Sequence, residues 1–361
     1  MRIAAVVGAR PNFVKIAPIL AEMARHPSLS VRLIHTGQHY DGRMSGAFFR
    51  DLDIPEPDVN LGVGAQTTVA QTAEIMVRLA AVLGDARPDL VLVVGDVTST
   101  LAAALTAVKT GIPLAHVEAG LRSFDRTMPE EINRVLTDAV ADLCFTTEPS
   151  ANENLAREGI PAGRVHHVGN VMIDTLFGFR ERAAASPILD TLGLAPRRFA
   201  ALTLHRPANV DDAGALGHVL SAVAAIAKDV PVIFPVHPRT RERLAQAADV
   251  GAARLTLVDP LPYLDFVQLM ANAACVLTDS GGIQEETTAL GVPCLTLRTT
   301  TERPITVTQG TNRLTGVDAT RIAAAWDEIR RGRWPMGRLP ELWDGKAAER
   351  LVRVLLDRGA V

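Results

Sequence analysis

Residues 90–120 read LVLVVGDVTSTLAAALTAVKTGIPLAHVEAG. The run Leu90–Val94 is apolar at every position rather than at alternate ones, as in a strand buried on both faces. Gly95-Asp96 ends it. Ser99–Lys109 then carries apolar residues at helical spacing, and Leu114–Val117 is a second run, apolar but for His116, ending in Glu118-Ala119-Gly120. Strand, helix and strand in that order predict a parallel sheet with helices on both faces.

The same alternation extends outward. Strands are expected at Ile3–Val7, Val31–His35 and Leu143–Thr146, with helices at Phe13–Arg25, Thr68–Leu83 and Glu130–Ala139. The second half repeats the pattern. Its strands are expected at Phe199–Leu204, Val232–Val236, Leu255–Val258, Cys275–Thr278 and Cys294–Arg298, and its helices at Ala213–Ala227, Arg239–Ala248, Tyr263–Asn272 and Ile283–Leu290. The reading is α/β with two doubly wound domains facing a cleft, 1–175 and 190–345. The Pro/Arg-rich stretch 180–198 holds the linker, and an amphipathic helix within 346–361 packs back on the first domain.

Composition narrows the class. Of 361 residues 48% are hydrophobic, 21% charged and 4% aromatic, a globular and aliphatic profile. A net charge of −3 gives no basic excess for a nucleic-acid partner. No apolar run nears the roughly 20 residues that cross a bilayer. The opening MRIAAVVGARP is too short in its apolar core for a secretory leader, and reads as a strand. Cys144, Cys275 and Cys294 are an odd number, each beside apolar neighbours and without metal-ligand spacing. They read as buried thiols in a reduced, cytoplasmic setting.

Open α/β sheets bind ligands beyond the carboxyl ends of their strands, so the residues that follow strands matter most. Gly8–Asn12 with Lys15 offers a glycine turn, a helix start and cations, suited to a phosphate or carboxylate. Solvated cations on an ordinary helix start are the plain alternative. Neither a Walker A loop nor GxGxxG is present, so nothing points to an NTPase or to NAD. Asp96 and Glu118 each follow an apolar strand. If those strands are neighbours, two carboxylates share one crevice and suit acid–base work; Asp96 could instead cap the helix that opens at Thr98-Ser99-Thr100. Glu131, in a first helical turn after Pro129, fits a dipole-stabilising role equally well.

In the second half His205 and His237 stand at strand ends, where a histidine can meet a phosphate. No HExxH-type spacing exists, so no metal is expected. His26, His35, His39, His116, His166, His167 and His218 are read as structural. Ser280-Gly281-Gly282 opens a helix after an apolar strand and suits a diphosphate, with Arg303 as a cation. Glu285 and Glu286 follow one turn on, where two acids would repel the same anion.

Seven motifs occur in order: GARPNFVKIAP (8–18), VVGDVTST (93–100), HVEAGLRS (116–123), MPEEINR (128–134), TLHRP (203–207), DSGGIQEE (279–286) and TTERP (300–304). Together they resemble the non-hydrolysing UDP-N-acetylglucosamine 2-epimerases. The resemblance implies two Rossmann-like domains of the GT-B type and interconversion of UDP-GlcNAc and UDP-ManNAc without NAD or another cofactor. It further implies anti elimination of UDP to 2-acetamidoglucal followed by re-addition. By resemblance Asp96, Glu118 and Glu131 are the acidic catalytic set, with Lys15 and His205 also in the site. Arg10, Ser280, Gly281, Gly282, Glu286 and Arg303 match residues that bind the nucleotide sugar, and Phe266 matches one near the uracil. With such a ligand Glu286 suits ribose hydroxyls, while Glu285 is read as a bystander turned elsewhere on the helix. A homodimer is the family expectation.

Some loops depart from the pattern. Many bacterial relatives carry RPE in the first loop and HRREN after the histidine; this chain has Pro11-Asn12-Phe13 and His205-Arg206-Pro207-Ala208-Asn209. The QHxxM-type segment that binds an activating second UDP-GlcNAc in several members has altered spacing here, at Gln38-His39-Tyr40-Asp41-Gly42-Arg43-Met44. Gln38 and Arg206 are what remains of that site. These changes leave room for a modified UDP-HexNAc such as a 2,3-diacetamido uronic acid. The rival functions are a hydrolysing epimerase, a GT-B glycosyltransferase and a non-catalytic nucleotide-sugar sensor.

Overall fold

The computed structural model describes residues 1–37, 49–64, 66–210, 213–236, 241, 244 and 255–359. Gln38, His39, His237 and most of the helix expected at Arg239–Ala248 lie outside them. The chain divides into two compact units, Met1–Gly178 with Glu341–Val361, and Phe179–Pro340.

Among its described residues the first unit has seven strands: β1 (Arg2–Val7), β2 (Ser30–His35), β3 (Val59–Asn60), β4 (Leu90–Val94), β5 (Leu114–Val117), β6 (Leu143–Thr146) and β7 (Val165–His167). All pairs are parallel, in the order β3-β2-β1-β4-β5-β6-β7. The uniformly apolar β4 is buried at every residue. Its Val91 and Val93 belong to one core cluster with Ala102, Ala103 and Ala107 of the helix Thr98–Lys109. Alanines on that face bring the helix backbone close to the sheet, at dispersion distance.

Among its described residues the second unit has six strands: β8 (Ala200–Thr203), β9 (Val232–Pro235), β10 (Leu255–Val258), β11 (Cys275–Thr278), β12 (Cys294–Thr296) and β13 (Asn312–Leu314). They are parallel in the order β10-β9-β8-β11-β12-β13. Leu202, Phe234, Leu277 and Leu295 join Leu216, Val219 and Val223 of the helix Ala213–Ala227 and Trp326 of the helix Ala319–Arg330 in one core. Each sheet reverses its winding direction once, between β1 and β4 in the first unit and between β8 and β11 in the second. A switch point of this kind leaves a crevice at the strand ends, because the two flanking connections run to opposite faces.

Several differences from the sequence reading have local causes. The helix Arg10–Met23 starts before the expected Phe13, because Pro11 suits a first turn and Asn12 Oδ1 accepts from the N–H groups of Gly8 and Ala9 at 3.0 and 3.2 Å. Strands β3, β7 and β13 span two or three residues, too few to carry a periodicity. Residues 180–198 hold the short helices Arg180–Ala184 and Ile188–Thr191. Ser186 Oγ donates to Asp265 at 2.5 Å and Arg197 to the Ala273 carbonyl at 2.9 Å, so this stretch is tied into the second unit.

Residues 341–361 return to the first unit. Trp343 is fully buried and its Nε1–H donates to the Thr147 carbonyl at 2.9 Å. The Asp174 carboxylate accepts from the Ala347 and Ala348 N–H groups at 3.1 and 2.7 Å, capping the helix Ala347–Gly359, whose Leu351, Val352 and Leu355 are buried. The three cysteines are buried free thiols, and burial pushes Cys144 up to about 12 and Cys294 to about 11.

Candidate active site

In the first unit the switch point joins the ends of β1 and β4, and Asn12 spans it. Its Oδ1 holds the turn after β1, and its Nδ2 donates to the last carbonyl of β4, Val94, at 2.8 Å. One turn along the helix, Lys15 is 3% exposed, with Nζ 2.5 Å from Glu118 Oε2; Glu118 is also 3% exposed. Gly95 has φ +68°, and a Cβ there would lie 2.8 Å from Lys15 Nζ. A side chain at Gly95 would be strained by its positive φ and would press on the lysine end.

Glu118 itself has φ +72°, a region that costs a non-glycine residue about 1–3 kcal/mol. The strand register enforces it, since the N–H groups of Glu118 and Ala119 both donate to the Phe145 carbonyl at 3.0 Å. Strain of this kind persists only where the surroundings over-determine it, and here it delivers a carboxylate onto a buried ammonium.

Arg134 organises the other two acids. One guanidinium nitrogen donates to Asp96 Oδ2 at 2.5 Å and another to Glu131 Oε2 at 2.6 Å. Glu131 accepts further from Ser123 N–H and Oγ, both at 2.9 Å, and from Phe124 N–H at 3.0 Å. Burial pushes the Glu131 carboxyl up, but Arg134 and the Ser123 donors outweigh it and hold the group below the ordinary glutamate value. Asn133 donates to the Asp96 carbonyl at 2.7 Å. Asp96 and Glu118 therefore do follow neighbouring strands, β4 and β5. The three acids are arranged as one carboxylate on Lys15 and two on Arg134.

Beneath them lies a wholly buried network. His116 Nδ1 is 2.6 Å from Asp138, and its Nε2 is 2.8 Å from the Gly95 carbonyl. Asp138 also accepts from Gly120 N–H at 2.9 Å and pairs with Arg122 at 2.7 Å. Burial raises the Asp138 carboxyl, and the opposing pull of His116 and Arg122 leaves it lowered. His116 thus anchors the turns that carry Asp96 and Glu118, in keeping with a structural reading.

In the second unit the switch point joins β8 and β11, whose last residues Thr203 and Thr278 share a hydroxyl–hydroxyl bond of 2.7 Å. His205 and Arg206 follow β8; Asp279 and Ser280 follow β11. Ser280 caps the helix Gly281–Leu290 in extended conformation without using its side chain on the helix. The N-terminal amides and dipole of a helix favour an anion at such a turn. Gly281 has no room for a side chain, since a Cβ would lie 2.2 Å from an Arg303 nitrogen.

Arg303 is 4% exposed and pairs with Glu302 at 2.5 Å and with Glu285 at 2.9 Å; Arg298 pairs with Glu302 at 2.8 Å. Glu285 is therefore not a bystander. It is fully buried and holds Arg303. Glu286, also buried, accepts from Tyr263 Oη at 2.9 Å. Burial pushes the Glu286 carboxyl up to about 7 against the lowering effect of Tyr263. Phe266, half-buried, stands three residues beyond Tyr263 on the helix Tyr263–Asn272, on the same side of it. Arg10 is half-buried at the first position of its helix. Arg206 is half-buried and its N–H donates to Asp279 at 3.0 Å. Among the described residues no His/Cys/Asp/Glu group could hold a metal ion, and no helix is long and apolar enough to cross a membrane.

The sequence reading did not single out Arg134, Asp138, Asp279, Tyr263 or Asn12. Arg134 left a signal, three residues after Glu131 on a helix, and so did Asp279, the acid directly before the anion seat.

One switch point gathers buried acids and the other opens a helix on a glycine pair, a combination suited to a phosphorylated ligand in an α/β protein. A family model for UDP-N-acetylglucosamine 2-epimerase matches residues 21–356, and the chain belongs to that family. It is 44% identical to a UDP-N-acetylglucosamine 2-epimerase homologue of Methanococcus maripaludis, over 89% of this chain and 90% of that one. It is 42% identical to UDP-2,3-diacetamido-2,3-dideoxy-D-glucuronate 2-epimerase of Pseudomonas aeruginosa, over 88% of each. The crystal structure of the Methanocaldococcus jannaschii UDP-GlcNAc 2-epimerase in complex with UDP-GlcNAc and UDP superposes with a TM-score of 0.92 at 38% identity, covering 99% of this chain and 100% of that one. Solved neighbours of this kind place the fold in the GT-B-like α/β class.

Proposed function

We propose that the protein interconverts UDP-GlcNAc and UDP-ManNAc by eliminating UDP across C1 and C2 and adding it back with C2 inverted. The observation that carries this reading is the acid set of the first unit, one carboxylate buried on Lys15 and two more sharing Arg134. A simple glycosyl transfer has no use for so many ionisable groups. Breaking the C1–O bond builds positive charge on the sugar and negative charge on UDP. Asp96, Glu118 and Glu131 serve the first, and the Ser280–Gly282 amides, Arg10 and Arg303 the second. Inversion requires the C2 proton to leave one face and return to the other, so two differently placed groups are needed. Glu131, held ionised by Arg134, is a proton acceptor rather than a donor in the resting site. Glu286 and Phe266 hold the ribose and uracil. Gln38 and Arg206 are the residues of an activator site in this reading, and a cytoplasmic homodimer is its setting.

The Pseudomonas relative favours a second substrate, a UDP-2,3-diacetamido uronic acid, worked by the same chemistry. One experiment separates these readings: incubation in D₂O with a panel of UDP-HexNAcs. Deuterium at C2 of recovered UDP-sugars, with little free UDP, is the expected result, and the sugar that exchanges fastest names the substrate. Stoichiometric UDP with free ManNAc would replace this mechanism by a hydrolysing one. Turnover only with an added acceptor would replace it by glycosyl transfer.

A further inference from the structure

His205 does not stand alone at the end of β8. Its Nδ1 lies 2.6 Å from Oδ1 of Asp279, a carboxylate that is itself fully buried, while the histidine side chain is 61% exposed. The same carboxylate accepts from His205 N–H at 3.1 Å, from Arg206 N–H at 3.0 Å and from Asn209 Nδ2 at 2.9 Å. A buried carboxylate needs such donors to stay charged. Asp279 also directly precedes Ser280, the cap of the anion-seat helix. One residue therefore joins the histidine loop to the diphosphate seat across the switch point.

We propose that Asp279 is a positioning residue for His205, holding the imidazole by its Nδ1–H so that Nε2, when it carries a proton, donates it to the diphosphate held at Ser280–Gly282. The proposal rests on the reading of His205 and the Ser280 turn as the UDP end of the site. A ring N–H bonded to a carboxylate locks both the tautomer and the ring plane, and an amide in place of the carboxylate can offer an N–H and force the other tautomer. Asp279 is ionised in this setting. Burial raises it, but His205, Asn209 and the Arg206 amide together hold it below the ordinary aspartate value.

The test pairs kinetics with a direct view of the ring. Asp279→Asn should lower kcat by about 10²-fold or more, while KM and the Kd for UDP change by less than about threefold. Adding His205→Gln to Asp279→Asn should cost little further, because the two act as one unit. Parallel loss of UDP binding and activity would make Asp279 part of the seat's scaffold and overturn the proposal. ¹⁵N NMR of histidine-labelled protein, with His205 assigned by His205→Gln, should find the neutral ring protonated at Nδ1 in the wild type and at Nε2 in Asp279→Asn. A wild-type ring protonated at Nε2 overturns the proposal, even if Asp279→Asn fails to fold. The NMR result needs no turnover, so it stands apart from the epimerase reading, which fails separately if the wild type exchanges no C2 deuterium on any UDP-HexNAc.

Discussion

Lys15 and Glu118 illustrate what a buried ion pair does and does not contribute. Two charges removed from water repay their desolvation only through each other, so the pair adds little net stability, but breaking it costs about 3–5 kcal/mol. Lys15→Met should therefore lower the unfolding free energy more than Lys15→Met combined with Glu118→Gln, as read by urea titration. Both variants should lose about 10²–10⁴-fold in kcat. Equal stability of the two would refute the pairing. Asp96 and Glu118 were legible in sequence because each follows a short, mainly apolar run. Arg134 was not, because its bond to Asp96 joins residues 38 apart, and no local pattern encodes that distance. Glu285 was misread for a similar reason. A side chain that departs from one helix face can be claimed by an arginine 18 residues later.

At the scale of elements, two helices meet at one titratable contact. Tyr263, on the helix Tyr263–Asn272, donates to Glu286 on the helix Gly281–Leu290. The Glu286 carboxyl moves from an ordinary 4.5 up to about 7 in the fold. The folded state therefore binds more protons than the unfolded one between those values. Glu286 contributes stability that is fully present below about pH 4.5 and is lost as pH rises through about 7. Melting temperatures of the protein and of Glu286→Gln should converge toward low pH and separate toward pH 8, with the variant the more stable there. Ribose hydroxyls would favour the ionised form, so UDP affinity should rise across the same window in the wild type and stay flat in the variant. The strands that carry the site were legible within two residues at either end. The edge strands β3, β7 and β13 were not, since two or three residues show no period.

Across the whole molecule, the two units share a strand order and differ in how the chain completes them. Unit one includes Glu341–Val361, whose Trp343 is fully buried and bonded to the Thr147 carbonyl just after β6. Trp343→Ala removes that packing and leaves the Thr147 carbonyl without its donor. It should cost about 3–5 kcal/mol, and hydrogen exchange should locate the loss in the first unit while the second keeps its protection. Uniform loss across both would mean that the units unfold as one. The amphipathic pattern of Lys346–Arg358 was plain in sequence; the tryptophan anchor preceding it was not, because an isolated Trp has no periodic neighbours.

The return of Glu341–Val361 also makes residues 179–340 an insertion within the first unit, and this imposes an order on biosynthesis. On the ribosome the segment 1–178 emerges first, yet it lacks Trp343 and the closing helix until residues 341–361 have been translated. The second unit, whose strands all lie within 179–340, has its whole core earlier. The nascent chain thus carries an incomplete first unit for the time taken to make about half of its length, which is the interval in which a holdase chaperone would bind it.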